Sequence, residues 1–504
     1  MIEETIHIHD KYQFEIKLGY PLESHKKSTV YNIETYVFFP NSLGINRHSY
    51  KKTDFYNDIQ AYIRLKTPTV LLKDMVHGQE SPLQKLRTSI ERLLVQADKT
   101  SITDYEYQVK MFCCIFKSAI RDHVSFLSTR VTAGDIDDLF VKYFESIVDI
   151  TRHFRELRSI INVPVIDENT FSVYVFGDEY LSLLIESYTY ELLELLNTRE
   201  FPEKAAYRAR LLELIAHELE YRKKNHYPSL PDAKTTNEVF LFRSGVLKKY
   251  MGSVLFLNTR VKQEGELLEQ IVFALAAGVA MIFATAAAFF AQSTYTNLSL
   301  PLFIVLVVSY MFKDRLKELI RWYLGSKLHN LLFDHKRNIY YSPGEKIGWC
   351  KEGFTFLKGH KIPSKILKLR DRDHLTEIEN GWMGEKVLLY RKRIKLFRKK
   401  LEHVYRDYQV ESVNDITRLN VLKFLSKMDN PKKPVYVLEG EGYRKIYGKR
   451  VYHLNMIIKY SMQEATLYKR FRIVLSRNGI KRIEESVFDE EYQRYNTKNP
   501  ISRF

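Results

Sequence analysis

Three short polar motifs contain the residue types from which metal and catalytic sites are built. His217-Glu218-Leu-Glu-Tyr221 begins like a zinc-binding His-Glu-x-x-His helix, but Tyr221 occupies the place of the second histidine. His7 and His9 share one face of a predicted strand, although no third ligand accompanies them. The turn-like cluster at 371–374, Asp-Arg-Asp-His, could bind a metal or act as a general base. We interpret all three as ordinary polar surface and predict no metal site.

A glycine pair and a cysteine pair are the remaining chemical candidates. Gly440-Glu-Gly442 resembles the start of a phosphate-binding loop, but it lacks the third glycine and a following helix, so we predict a loop between strands. Cys113 and Cys114 lie in an apolar helical run, where cysteine behaves as a small hydrophobic residue. Three cysteines in all cannot form a disulfide framework and fit a reducing compartment. The sequence therefore predicts no cofactor, leaves catalytic residues unknown and argues against an enzyme without deciding the question.

One long segment contains no ionisable side chain. Between Gln270 and Phe312 there is no Asp, Glu, Lys, Arg or His, in a chain of which 28% is charged. Residues 271–291 are long enough to cross a bilayer, since about 20 apolar residues are needed. A second, slightly short apolar run covers 297–312, and the polar residues 292–297 join the two. The pattern predicts a two-helix transmembrane hairpin, and hence a two-pass membrane protein.

Basic residues near the two runs predict the orientation of the hairpin. Lys313, Arg315 and Lys317 follow the second run directly, whereas the connecting loop has no basic residue. Lys and Arg are enriched on the cytoplasmic side of membrane helices. The chain begins with an acidic segment and has no apolar signal sequence there. We expect an integral membrane protein of a bacterial inner membrane, with both termini in the cytoplasm.

A ladder of small residues runs along the first apolar segment. Its members are Ala276, Gly278, Ala280, Ala284 and Ala288. Small side chains at this spacing allow the backbones of two membrane helices to approach closely. The partner could be the second run of the same hairpin, a second copy of the first run, or the other subunits of an Ala-lined pore. The ladder predicts close helix packing in all three cases.

Positive charge is concentrated in the last part of the chain. Residues 313–504 contain 43 basic and 23 acidic side chains, so they account for all of the net charge of +17. The densest patch consists of Arg391, Lys392, Arg393, Lys395, Arg398, Lys399 and Lys400. Apolar residues from Val387 to Tyr408 recur at steps of three and four, which predicts an amphipathic helix. Such a helix can lie on anionic lipid headgroups; alternatively, it packs on its own domain and its basic face is merely solvated.

The remaining patterns give a domain scheme and a fold class. We predict an N-terminal β element (1–50), a helical cytosolic domain (51–232), the transmembrane hairpin with flanking helices (233–335) and a basic α+β domain (336–504). The last of these should contain an antiparallel meander, because short β-rich runs follow one another from Val435 onward. The predicted fold class is thus an α+β membrane protein, α-rich in its N-terminal cytosolic region.

These observations point to a class of function and to no known family. The leading hypothesis is a membrane-anchored scaffold or signal-coupling component with two large cytosolic domains. The alternatives are an oligomeric channel lined by the Ala-rich run, and a membrane-tethered enzyme of unidentified chemistry. The expected partners are the lipid bilayer, anionic headgroups, copies of the chain itself and an unknown protein. Nucleic acid is disfavoured, because a membrane tether would make lipid the nearest polyanion.

Overall fold

The computed structural model divides the chain into two compact units. It describes residues 3–22, 26–129, 136–198, 203–295, 299–341, 344–370, 384–404, 407–408, 411–462 and 465–486. The β-rich unit combines residues 1–63, 257–404 and 412–504, and the helical unit combines residues 64–256 and 405–411. The N-terminal strands, predicted to be a separate element, thus belong to the same unit as the C-terminal region.

The strands lie mostly in the β-rich unit. They are β1 (Glu3–Ile8), β2 (Gln13–Pro21), β3 (Ser28–Phe39), β4 (Ile59–Leu65), β5 (Asn258–Gln263), β6 (His335–Tyr341), β7 (Glu345–Leu357), β8 (Lys386–Phe397), β9 (Ser412–Asn420), β10 (Lys432–Glu439), β11 (Gly442–Lys449), β12 (Tyr452–Met462), β13 (Ala465–Ser476) and β14 (Gly479–Ser486). They form an eight-stranded sheet in the order β14-β13-β12-β3-β8-β7-β6-β5, a four-stranded sheet in the order β1-β2-β9-β4, and the separate hairpin β10-β11.

The helices belong to both units. They are α1 (Lys52–Asp58), α2 (Pro82–Val95), α3 (Lys99–Thr129), α4 (Ile136–Ile161), α5 (Glu168–Thr198), α6 (Lys204–Lys224), α7 (Glu238–Gly252), α8 (Glu266–Thr294), α9 (Leu300–Leu331), α10 (Ser364–Arg370), α11 (Arg398–Val404) and α12 (Leu422–Leu425). Helices α2 to α7 form the helical unit. Ser81 caps α2 by accepting a hydrogen bond from the Gln84 amide, with Pro82 in the first turn, and this start was predicted from the sequence.

The basic segment that was predicted to be a helix is the central strand β8. This strand pairs with β3 on one side and with β7 on the other. Residues 386–397 of β8 lie opposite β3 and residues 387–396 lie opposite β7, and this pairing on both edges overrides the local spacing of apolar residues. The prediction of an amphipathic helix from Val387 to Tyr408 was therefore wrong; among the described residues of this range, only the short α11 is helical.

The C-terminal strands confirm the predicted antiparallel meander in part. Strands β12, β13 and β14 follow one another in antiparallel order, and Gly479 begins β14 with a positive φ of 124°. The segment from Val435, which was predicted to open this meander, instead forms the separate hairpin with β11.

An ion network is buried inside the β-rich unit. The Lys392 ammonium lies 2.7 Å from Asp415 Oδ2 and 3.8 Å from Glu352 Oε1. Arg337 Nε lies 2.8 Å from the other oxygen of Glu352, and the Tyr20 hydroxyl donates to Asp415 over 3.2 Å. Lys392, Glu352 and Asp415 are each almost inaccessible to solvent. Two positive and two negative charges thus balance in a region from which water is largely excluded.

The helical unit has its own buried polar layer, carried mainly by α5. Asp178 accepts hydrogen bonds from the hydroxyls of Tyr221 and Tyr227 at 2.6 and 2.7 Å. Arg155 makes a bidentate contact with Glu218, with N–O distances of 3.1 and 2.6 Å. Both carboxylates are buried, so each depends on these partners to offset the loss of hydration.

Candidate membrane-contacting site

Helix α8 has a large apolar surface that the protein does not cover. It contains an apolar stretch, Leu268–Thr294, that is long enough to cross a bilayer, yet only 11% of its most apolar part is buried. The side chains of Leu275 and Ile282 are 61% and 71% exposed. A soluble core helix would be mostly covered, and large exposed apolar patches mark interaction sites. Helix α8 is therefore the first candidate for a contact with lipid.

The prediction of a two-helix transmembrane hairpin, and with it of a two-pass protein, was wrong. Among the described residues α8 is the one helix that is both long and apolar enough to span a membrane. The uncharged part of α9 ends at Phe312, and from Lys313 onward the helix carries charged side chains. At 1.5 Å per residue its uncharged part covers about 20 Å, which is short of the roughly 30 Å of a hydrocarbon core. Part of the predicted connecting loop, residues 296 and 297, lies outside the described residues.

The small-residue ladder of α8 lies partly against α9. Helices α8 and α9 pack along each other. Ala276 and Ala280 are almost fully buried, Ala284 and Ala288 are half-buried, and Gly278 is exposed. The Ser309 hydroxyl of α9 reaches the Ala284 carbonyl at 3.5 Å. Of the three partners considered for the ladder, this arrangement shows the following helix of the same chain, and the covered alanines are not free to line a pore.

Enlarging a buried ladder residue is expected to separate these two helices. Ala280→Leu would place three extra carbon atoms in the contact with α9, and such overpacking typically costs about 1–3 kcal/mol. Ala286→Leu is the matched control, because Ala286 is an exposed alanine on the same helix. Disulfide cross-linking between cysteines introduced on α8 and α9 would report the separation. Equal cross-linking in both variants would show that the ladder does not set the packing.

The chain leaves the eight-stranded sheet before α8 and returns to it after α9 at one place. Strand β5 directly precedes α8, and strand β6 directly follows α9. These two strands are antiparallel neighbours, with Gln263 opposite His335. Whatever environment surrounds α8, the chain enters and leaves that environment on the same side.

The basic residues predicted to contact anionic lipid do not share one surface. Lys392 points into the buried ion network and is unavailable to a membrane. Arg393, Lys399 and Lys400 are exposed, and the remaining members, Arg391, Lys395 and Arg398, are partly buried. Arg391 donates to the Leu332 carbonyl at 3.5 Å. A lipid contact by the exposed members stays a prediction.

The polar motifs of the sequence lie apart from one another. His217 is exposed and lies 3.5 Å from Glu218, whose carboxylate is occupied by Arg155. His7 lies 3.7 Å from Glu15 on the neighbouring strand. Cys113 and Cys114 are both buried, and burial raises the pKa of the Cys114 thiol to about 12. Gly440 lies in the turn between β10 and β11, and the cluster at 371–374 lies outside the described residues.

The structure also shows a polar cleft that the sequence did not reveal. A cleft of about 560 Å³ in the helical unit is lined by residues of the loop after Leu72 and of α4 and α6. Asp149 Oδ2 lies 2.9 Å from His77 Nε2, and Asp149 Oδ1 lies 2.5 Å from Arg152 Nη2. The Nδ1 atom of His153 lies 3.2 Å from Asp149 Oδ1 and 2.9 Å from the main-chain carbonyl oxygen of Asp149, with which it forms a hydrogen bond. The cleft can thus orient an imidazole for proton exchange. His77 and Asp149 are 72 residues apart, so no local spacing could have signalled the pair.

The surroundings of the cleft favour anions over cations. Lys73 and Arg210 also line it, and Arg210 stacks over the Phe144 ring at 4.3 Å from its centroid. The Asp149 carboxylate is paired with Arg152 and lies beside His77, which leaves Lys73 and Arg210 to set the charge of the cleft together with Glu145. Comparison of the chain with protein-family models, curated proteins and solved structures found no match, so these two sites are characterised by their geometry alone.

Proposed function

We propose that this protein is a scaffold or signal-coupling component held at the cytoplasmic face of a membrane by α8. The observation that carries the proposal is the apolar stretch of 27 residues in α8, because only 11% of its most apolar part is buried. In water such a surface would be a strong site of association. In a bilayer it is matched by hydrocarbon, and the backbone hydrogen bonds of the helix are satisfied within the helix itself.

The pairing of β5 with β6 supports an anchor that enters and leaves the bilayer by one face. Both ends of the α8–α9 segment return to the same sheet. The charged part of α9 begins at Lys313, so this half of the helix belongs in water or among headgroups. Lys313, Arg315 and Lys317 then lie where anionic lipid would attract them, which favours the cytoplasmic leaflet.

A scaffold role is supported over a channel by the contacts of α8. The buried alanines face α9, and the apolar stretch from Ile271 to Ala291 contains no ionisable residue that could bind an ion. Two folded units on one polypeptide provide surfaces for protein partners next to the membrane. The anchor restricts those partners to the membrane surface and so raises their effective concentration there.

Fractionation and labelling of the full chain would test this proposal. We expect the protein to stay with membranes after carbonate extraction and to be released by detergent. The natural cysteines are buried, so a cysteine at Ser293 or at Lys27 provides a single accessible thiol. In sealed right-side-out vesicles, an impermeant thiol reagent should label neither position until the vesicles are permeabilised.

Two results would contradict the proposal in different ways. Recovery of the chain in the supernatant without detergent would remove the anchor altogether. Labelling of Ser293→Cys from outside, with Lys27→Cys still protected, would show that the end of α8 crosses the membrane, and the one-sided anchor would then be wrong.

A further inference from the structure

The hairpin formed by β10 and β11 is almost entirely exposed. Every residue of the two strands except Gly448 is exposed, and the principal contacts of each strand are with the other. Leu438 is 87% exposed and Tyr443 is 72% exposed. An isolated two-stranded hairpin is at best marginally stable in water. A hairpin with this much apolar surface is therefore expected to be covered by a partner.

The register divides the hairpin into two different faces. Tyr436 lies opposite Lys445, and Leu438 lies opposite Tyr443. Since side chains alternate along a strand, one face carries Tyr436, Leu438, Tyr443 and Tyr447. The rings of Tyr436 and Tyr443 lie 5.6 Å apart, and Lys445 Nζ lies 5.7 Å from the centre of the Tyr447 ring.

The charge on this tyrosine face is entirely positive. Lys432 and Lys449, which are opposite one another, share the face with Lys445. None of the described residues on this face is Asp or Glu; Glu439 lies on the other face, where it pairs with Arg444 at 3.2 Å. Tyrosine, leucine and lysine together match the boundary between acyl chains and anionic headgroups.

The strand registers place the root of this hairpin at the same end of the sheet as the roots of α8 and α9. Strand β12 begins where β11 ends, and its first residues lie beside the C-terminal end of β3. That end of β3 lies beside the start of β8, which lies beside the end of β7. The start of β6 and the end of β5 point the same way. The registers establish that the hairpin and the two helices leave from the same end of the sheet. They do not establish that these segments point in the same direction, because sheet twist rotates the outer strands relative to each other.

We propose that the tyrosine face of the β10–β11 hairpin docks on the anionic headgroup layer of the membrane that holds α8. This inference rests on the proposed function, since α8 supplies the membrane. The three lysines of the face would each be attracted to an anionic surface. A two-fold contact of this face with a second copy would instead bury the lysines of both copies without an acidic partner on the face. A nucleic acid would satisfy the lysines, but it offers no hydrocarbon to Leu438, which lies on the same face and is 87% exposed.

Fluorescence quenching in nanodiscs can test the contact with the full chain. A bimane label on Tyr443→Cys would report on the hairpin, and one on Lys27→Cys would report on the opposite end of the sheet, where β3 begins. In nanodiscs of mixed phosphatidylcholine and phosphatidylglycerol, brominated lipid should quench the label at 443 and not the label at 27. Replacing Lys432, Lys445 and Lys449 by Gln should reduce the quenching at 443 to the level seen at 27.

Each of the other outcomes would overturn the inference and show which part of it is wrong. If the protein enters nanodiscs but the label at 443 is not quenched, the hairpin proposal fails while the α8 anchor stands. If the protein does not enter nanodiscs, both fail. Quenching at 443 by a nitroxide-labelled second copy or by a nitroxide-labelled single-stranded oligonucleotide, without quenching by brominated lipid, would assign the face to that partner instead.

Discussion

Replacing Leu275 and Ile282 by arginine is expected to release the protein from membranes into the soluble fraction. Both side chains are exposed on α8, so the substitutions should not disturb the contact with α9. An arginine near the centre of a membrane helix costs about 2.5–3.5 kcal/mol, and two of them would shift the partition between membrane and water by roughly four orders of magnitude. Carbonate extraction followed by immunoblotting of pellet and supernatant would measure the shift.

The same change on another exposed apolar helix provides the control. Val239 and Phe242 of α7 are as exposed as the two α8 positions. Because α7 belongs to the helical unit, arginine at both places should leave membrane retention unchanged. If the α8 variant stayed in the pellet as fully as the α7 variant, lipid contact by α8 would have to be abandoned.

Lys392→Met is expected to destabilise the β-rich unit by about 3–5 kcal/mol, since it leaves Asp415 and one side of Glu352 buried without their cation. Burial alone would lower the pKa of Lys392, but Asp415 and Glu352 raise it above its ordinary value. Burial would likewise raise the pKa of Glu352, yet Lys392 and Arg337 lower it. Thermal unfolding followed by circular dichroism should show a fall in Tm on the order of 10 °C.

Controls and pH distinguish this network from a general loss of packing. Arg393→Met changes the exposed neighbour on the same strand and should alter stability by less than about 0.5 kcal/mol. Adding Asp415→Asn to Lys392→Met should restore part of the loss. Because the folded-state pKa of Glu352 is lowered, its contribution is present above its ordinary value of 4.5 and is lost as the pH falls through the lowered value. Equal melting of the Lys392 and Arg393 variants would contradict this account.

Local patterns predicted the isolated elements correctly where burial on one face set the spacing. The start of α2 at Ser81 and the meander of β12 to β14 could be predicted because capping and alternation are local signals. Strand β8 could not, because both of its edges pair with strands distant in sequence, and its apolar residues happened to fall at helical steps. The order of strands in the eight-stranded sheet depends on such distant pairings and has no short-range signal.

The candidate sites, too, could be predicted where the signal was local and could not be predicted where they depend on contacts between distant residues. The uncharged segment identified the apolar surface of α8 directly, but the number of membrane spans depended on where α9 becomes charged relative to its start at Leu300. The exposed tyrosine face of the β10–β11 hairpin could not be predicted, because the segment from Val435 was expected to join the meander and the residues after Gly440 were expected to form a loop. His77 lies in the loop before α2, and Asp149 lies on α4. The two side chains are brought together by the packing of α4 against that loop.

The pairing of β3 with β12 has a consequence for how this chain is made. Asn32 lies opposite Ser461, so the middle of the large sheet joins residues from the two ends of the polypeptide. At ribosomal speeds of about 5–20 residues per second, the first of these strands waits roughly 20 to 90 s for the second. Helix α8 is synthesised within that interval. Under the proposed anchoring by α8, its capture by lipid can therefore precede completion of the sheet, and nascent β3 needs protection from premature pairing while it waits.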